Sequence, residues 1–147
     1  MKKDIGPGPV GVDTVAFIYF IEEHPTFRRI IEPMFAGIDD GLFEAATSAL
    51  TLLETLVIPY RAGNRALGDR YEAILTRSRG LRLIPLDNAV LRGAAMLRAQ
   101  FRVKTPDALQ LAASLVAGCK TFVTNDRDLP AIPGLRILQL NQYVKAP

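Results

Sequence analysis

The feature that most restricts this chain is an alternation: short β-rich runs are separated by stretches with helical periodicity. Residues 10–12 form an apolar run that ends at Asp13. Residues 14–23 are apolar and aromatic, and His24-Pro25 closes them, because the residue before proline is driven out of the helical region. A second helix is expected over 26–36, with 37–41 as a turn. Residues 44–47 read as a second strand, and Ser48 as the N-cap of a helix over 49–60. A helix over 65–78, a strand over 81–86 and a helix over 88–101 capped by Asp87 follow. Thr105 as N-cap and Pro106 at the first helical position open a helix to Ala117, which stops at Gly118. Residues 121–124 and 135–140 are the last strands.

Strands joined through helices pair in parallel by right-handed crossovers. The expected class is therefore α/β, a three-layer α/β/α arrangement around a mainly parallel sheet. A chain of 147 residues buries a core of this kind in one domain, with its core over about 10–140. No repeat, low-complexity tract or linker divides it. The one cysteine, Cys119, excludes an internal disulfide framework and fits a reducing compartment. Lys2 and Lys3 precede Asp4 and a Gly/Pro run, not the apolar stretch of a leader. The most apolar region, 10–21, contains Asp13 and is too short to span a bilayer. These features predict a soluble, cytoplasmic protein without membrane contact.

Three carboxylates stand where carboxylates are costly. Asp13 is the only charged residue between Asp4 and Glu22, Glu54 the only one between Glu44 and Arg61, and Asp107 the only one between Lys104 and Lys120. The helices carrying Glu54 and Asp107 are apolar on nearly every side, which predicts that both lie in the interior. An unpaired charge there is strongly unfavourable, and these segments offer no Lys or Arg partner. Asp13 follows the first strand, Asp107 opens its helix and Asp126 follows the strand 121–124, so all three fall at the carboxyl edge of a parallel sheet. Glu54, within two turns of the second strand, reaches the same edge. Ligands of open α/β sheets gather there. Converging carboxylates repel one another unless a cation lies between them, and an all-oxygen set suits Mg²⁺ or Mn²⁺. With a single histidine, His24, and no Cys/His cluster, zinc is disfavoured.

Each acid alone has a plainer explanation. Asp13 could cap a helix, Asp107 could complement a helix dipole, and Asp126 with Asp128 could form an ordinary Asx turn. Taken together, these explanations require several coincidences. Charge distribution adds a second signal: residues 1–60 carry four basic and nine acidic side chains, whereas residues 61–104 carry ten basic and three acidic. Such a block can guide a phosphate backbone, or it can be a set of solvated helix faces with partners three or four residues away. By itself it decides nothing.

Four segments in order carry a resemblance: Val12-Asp13-Thr14; Thr47-Ser48-x-x-Thr51-x-x-Glu54; Thr105-Pro106-Asp107-Ala108-x-x-Leu111-Ala112; and Phe122-Val123-Thr124-Asn125-Asp126. Over about 10–140 they resemble the motif series of PIN domains, in particular the VapC-type toxin nucleases of prokaryotic toxin–antitoxin pairs. The resemblance implies an endoribonuclease dependent on Mg²⁺ or Mn²⁺. Asp13 and Asp107 would be direct ligands, with Glu54 and Asp126 acting through water, and Asp128 supplementing or replacing Asp126. Thr14, Ser48, Thr124 and Asn125 would shape the cleft, and Arg61, Arg65, Arg102 and Lys104 would meet RNA phosphates. It also implies a small antitoxin partner and a homodimer. Two departures are visible: Leu129 stands where many relatives carry an aromatic residue, and about nine residues precede the first strand. The alternatives are a PIN-type RNA-processing nuclease outside any toxin pair and a non-catalytic RNA- or protein-binding PIN module. A receiver-type Mg²⁺-binding signalling domain fits less well, since it requires paired acids after the first strand and a late lysine.

Overall fold

In the computed structural model, which describes residues 1–145, five strands form one sheet. They are β1 (Val10–Val12), β2 (Ala45–Ser48), β3 (Leu81–Ile84), β4 (Thr121–Thr124) and β5 (Arg136–Gln139). Their order is β3-β2-β1-β4-β5, and every pairing is parallel. Seven helices accompany them among the described residues: α1 (Lys2–Ile5), α2 (Thr14–Ile21), α3 (Arg28–Asp39), α4 (Leu50–Arg61), α5 (Arg65–Arg77), α6 (Asn88–Gln100) and α7 (Thr105–Val116). A 3₁₀ turn, Leu140–Tyr143, follows β5.

Both faces of the sheet are covered, and the period-two alternation of strand side chains divides the core in two. Val10 and Val12 of β1, Ala45 of β2 and Val123 of β4 join Phe17, Met34, Phe35 and Leu75 on one side. Ala46 and Phe122 turn the other way and meet Val90, Leu97, Leu111 and Ala112 of α6 and α7. Gly11 lets α7 approach β1: a Cβ there would collide with the Ser114 hydroxyl and lie 2.8 Å from the Phe122 ring. The chain leaves β1 toward β2 and β3, then returns to β4 on the other side of β1. The β1/β4 boundary is thus the point where connections diverge, and it opens a crevice at the carboxyl ends of those two strands. Asp13 N donates to Val123 O across that boundary at 2.9 Å.

Several expected boundaries move. Residues 37–39 continue α3, and the chain turns only at Gly41, which has φ +71°. Ser48 ends β2 and Ala49 occupies the N-cap position, although the Ser48 hydroxyl still accepts from Leu50 N at 3.1 Å. Lys104 occupies the N-cap position of α7, so Thr105 and Pro106 lie inside its first turn, and the Thr105 hydroxyl accepts instead from Arg98. Leu140 leaves the last strand for the 3₁₀ turn.

The largest correction concerns α4. Its apolar composition predicts an interior helix, yet only Thr51, Thr55 and Pro59 are buried, while Leu53, Ile58 and Tyr60 are each 60–66% exposed. The helix turns its small polar residues inward because the network behind the sheet edge needs hydroxyls there. No helix among the described residues is long and apolar enough to cross a membrane.

Candidate active site

The carboxyl edge gathers residues from four elements. Asp13 follows β1 and caps α2, accepting from Thr14 N at 2.8 Å. Its second oxygen accepts from the Thr124 hydroxyl at the end of β4, 2.6 Å away. Thr124 in turn accepts from Asp126 N at 3.0 Å, so one hydroxyl ties the first acid to the turn bearing the fourth. Asp126 also makes an Asx turn, accepting from Asp128 N at 2.8 Å. The plainer roles foreseen for Asp13 and Asp126 are therefore real, and both residues hold them while facing the same edge.

Among the described residues Glu54 is in no ion pair. One oxygen accepts from the Thr14 hydroxyl at 2.8 Å, which draws the glutamate of α4 to the start of α2. Asp107 lies half-buried in the first turn of α7, where the helix N-terminus favours an anion. Electrostatics link the acids beyond hydrogen-bonding range. Burial pushes the Asp13 carboxyl up from 3.8 to about 6 against its two hydrogen bonds, and the charges of Asp107 and Glu54 push the same way. Asp107 is raised by burial, then by Asp126 and Glu54, with Lys104 opposing. Asp128 is exposed and is not among the charges felt at either group.

Asn125 bridges outward, donating to the Tyr19 hydroxyl at 3.1 Å and accepting from Asn141 N at 3.0 Å, so it pins the β4 turn to α2 and to the 3₁₀ turn. Ser48 is fully buried and donates its N–H to Gln110 Oε1 at 3.2 Å. Its role is internal. Gln110 was not foreseen, and Thr47 and Thr51 stood in the second motif without a role. The signal for Gln110 was present, since it is the one amide side chain in the apolar run 108–117 and stands three residues after Asp107, on the same face of the helix.

Lys104 is the only one of the four expected phosphate contacts whose charge is felt at the acids. Arg61, Arg65 and Arg102 are exposed, and among the described residues none of the ten cations of 61–104 is in an ion pair. All ten are solvent-exposed, so the solvated-face reading of that block stands beside the phosphate-guiding one. A cleft of about 1040 Å³ lined by Lys2, Lys3, Arg29, Ile30 and Tyr143 shares no residue with the acidic edge, so chemistry and not volume locates the site.

The donor set is all-oxygen and mutually repulsive, which suits a hard divalent ion. Among the described residues no three Asp, Glu, His or Cys side chains close around one point as a finished cage. Asp13 and Glu54 are held by hydroxyls instead, and the charges of Glu54 and Asp107 lie close enough to add to the upward push of burial on Asp13.

Five parallel strands ordered 3-2-1-4-5 with acids at the β1/β4 crevice define an α/β protein with an acidic edge site. The family model described as the PIN domain matches residues 10–135, and the chain belongs to that family. Its fold is similar to that in a crystal structure of VapBC2 from Rickettsia felis bound to a DNA fragment from their promoter. The TM-score there is 0.66 at 16% identity, covering 90% of this chain and 98% of the other. A toxin–antitoxin complex from Klebsiella pneumoniae gives a TM-score of 0.62 at 20% identity, covering 86% and 94%. No curated protein matches the chain.

Proposed function

We propose that this PIN domain is an endoribonuclease dependent on Mg²⁺ or Mn²⁺, acting as the toxin of a toxin–antitoxin pair. The observation that carries the proposal is geometric: Thr14 ties two acids together, its N–H donating to Asp13 and its hydroxyl to Glu54, while Asp107, raised by burial and then by the charges of Asp126 and Glu54, opens α7 at the same edge. Carboxylates gathered at a sheet edge where ligands bind are an arrangement that a cation relieves. Asp13 and Asp107 would hold the ion, with Glu54 and Asp126 acting through water. When bound, the ion supplies a hydroxide-like nucleophile near neutral pH and neutralises charge on the phosphodiester.

The chain's own groups do the rest. Thr124 and Thr14 N–H fix the Asp13 carboxylate, and Thr14 OH fixes Glu54, so both acids keep their aim without reorganising. Lys104 and the unpaired cations of 61–104 would draw the RNA backbone in, an attraction that weakens with salt. Support for a protein antitoxin comes from the two fold neighbours, both of which come from toxin–antitoxin systems. A homodimer and a cytoplasmic location remain parts of this proposal.

The test is cleavage of cellular RNA with Mg²⁺ or Mn²⁺ by wild type, Asp13→Ala and Asp107→Asn. Loss of a direct ligand should cost about 100-fold or more in rate. Full activity in either variant would remove the assignment, and activity that survives chelation would remove the metal.

A further inference from the structure

Behind the acids lies a buried hydroxyl chain whose hydrogen-bond directions follow from its fixed donors and acceptors. Gln110 is 3% exposed. Its carbonyl oxygen accepts from Ser48 N, which fixes the amide orientation, since a backbone N–H can only donate. Its NH₂ must then point the other way, and it meets Thr14 Oγ1 at 3.1 Å and Thr51 Oγ1 at 2.6 Å. Thr47 spends its one hydrogen on the Val12 carbonyl at 2.8 Å, so at the 2.7 Å contact between Thr47 and Thr51 the donor is Thr51. Thr51 accepts from Gln110 and donates to Thr47. Thr14 also accepts from Gln110, and because an ionised carboxylate can only accept, its own hydrogen goes to Glu54 at 2.8 Å in preference to the longer 3.0 Å contact with Thr51.

We propose that Gln110 is a positioning residue for the candidate active site. Its two amide hydrogens polarise the chain so that the Thr14 hydroxyl is committed to donating to Glu54. The inference rests on the metal-nuclease reading above and names a residue that reading does not use. A glutamate at 110 has nearly the same shape and still accepts from Ser48, but it carries no hydrogens when ionised. The Thr14 and Thr51 hydroxyls would then turn toward residue 110, and Glu54 would lose its donor.

The experiment is a double-mutant cycle between Gln110→Glu and Thr14→Val, read by Mn²⁺ calorimetry, by kcat and KM on RNA, and by circular dichroism and melting to establish folding. Gln110→Glu alone should weaken Mn²⁺ binding and lower kcat by about 10-fold or more, the scale of outer-shell effects on metal sites, with KM little changed. In the Thr14→Val background the same substitution should change either quantity by less than about twofold, because the two act through one hydroxyl. A loss of the same size in both backgrounds overturns the proposal, as does wild-type Mn²⁺ affinity in folded Gln110→Glu. An added negative charge acting directly would instead tighten Mn²⁺ binding in both backgrounds, and that result also overturns it. If the glutamate variant does not fold, Gln110→Met is carried through the same cycle under the same criteria. Asp13→Ala separates the two levels. Wild type that binds no Mn²⁺ sinks the nuclease reading and this assignment with it, whereas wild type that binds, Asp13→Ala that does not, and an unaltered Gln110→Glu sink the assignment alone.

Discussion

At the scale of the residue, Asp13 combines a structural cost with a chemical use. Its folded pKa of about 6 exceeds the ordinary 3.8, so the folded state holds this proton more tightly than the unfolded chain does. The sign follows by linkage: the penalty is absent below about pH 4, grows between pH 4 and 6, and is complete above pH 6. Moving the carboxyl from 3.8 to about 6 corresponds to roughly 3 kcal/mol, reduced by whatever the neutral variant loses in hydrogen bonding. Asp13→Asn should therefore be more stable than wild type at pH 7.5 by about 1–3 kcal/mol, and the gap should close toward pH 4. Urea denaturation of both proteins at several pH values checks this, and a gap independent of pH would contradict it. Gly11 makes the opposite case, because no φ strain is involved and the whole requirement is space. Gly11→Ala drives a methyl group into Ser114 and Phe122 between β1 and α7, and should destabilise by about 2 kcal/mol or more in the same assay.

At the scale of the element, α4 and α7 show how composition can mislead or inform. Both are rich in Leu, but α7 packs against β1, β2 and α6, while α4 turns Thr51 and Thr55 inward and Leu53, Ile58 and Tyr60 to solvent. An interior Ile58 replaced by Lys would cost several kcal/mol by burial of its charge. On the exposed face described here, Ile58→Lys should change unfolding free energy by no more than about 0.5 kcal/mol, whereas Leu111→Ala on α7 should cost about 2–5 kcal/mol. Thermal melts of the two variants decide between these readings of α4. Glu54 on α4 takes its hydrogen bond from a hydroxyl on α2 and not from Lys or Arg: the donor is Thr14, which also meets Thr51 and Gln110.

At the scale of the molecule, the 3-2-1-4-5 order brings residues 13, 54, 107 and 126 to one edge although 113 positions of sequence separate the first from the last. If the edge holds a cation, folding and metal binding are coupled. Mg²⁺ or Mn²⁺ at about 100 times its dissociation constant should stabilise wild type by about 2.7 kcal/mol, and EDTA should reverse the gain. The same addition should leave Asp13→Asn nearly unmoved. A melting temperature insensitive to metal in both proteins would count against the site. The sequence alone determined the alternation of strands and helices, the parallel class, the position of Asp13 and Asp126 after strands and of Asp107 in the first turn of its helix, and the isolation of Glu54 from cations. Periodicity and spacing are local properties, so a linear reading reaches them. Only the tertiary structure decided which face of α4 is buried, that Lys104 and not Arg61, Arg65 or Arg102 is felt at the acids, and that Gln110 joins β2, α2 and α4. Those facts depend on pairing side chains 37 to 96 residues apart, and hydrogen-bond direction in a shared network is fixed by all its members at once.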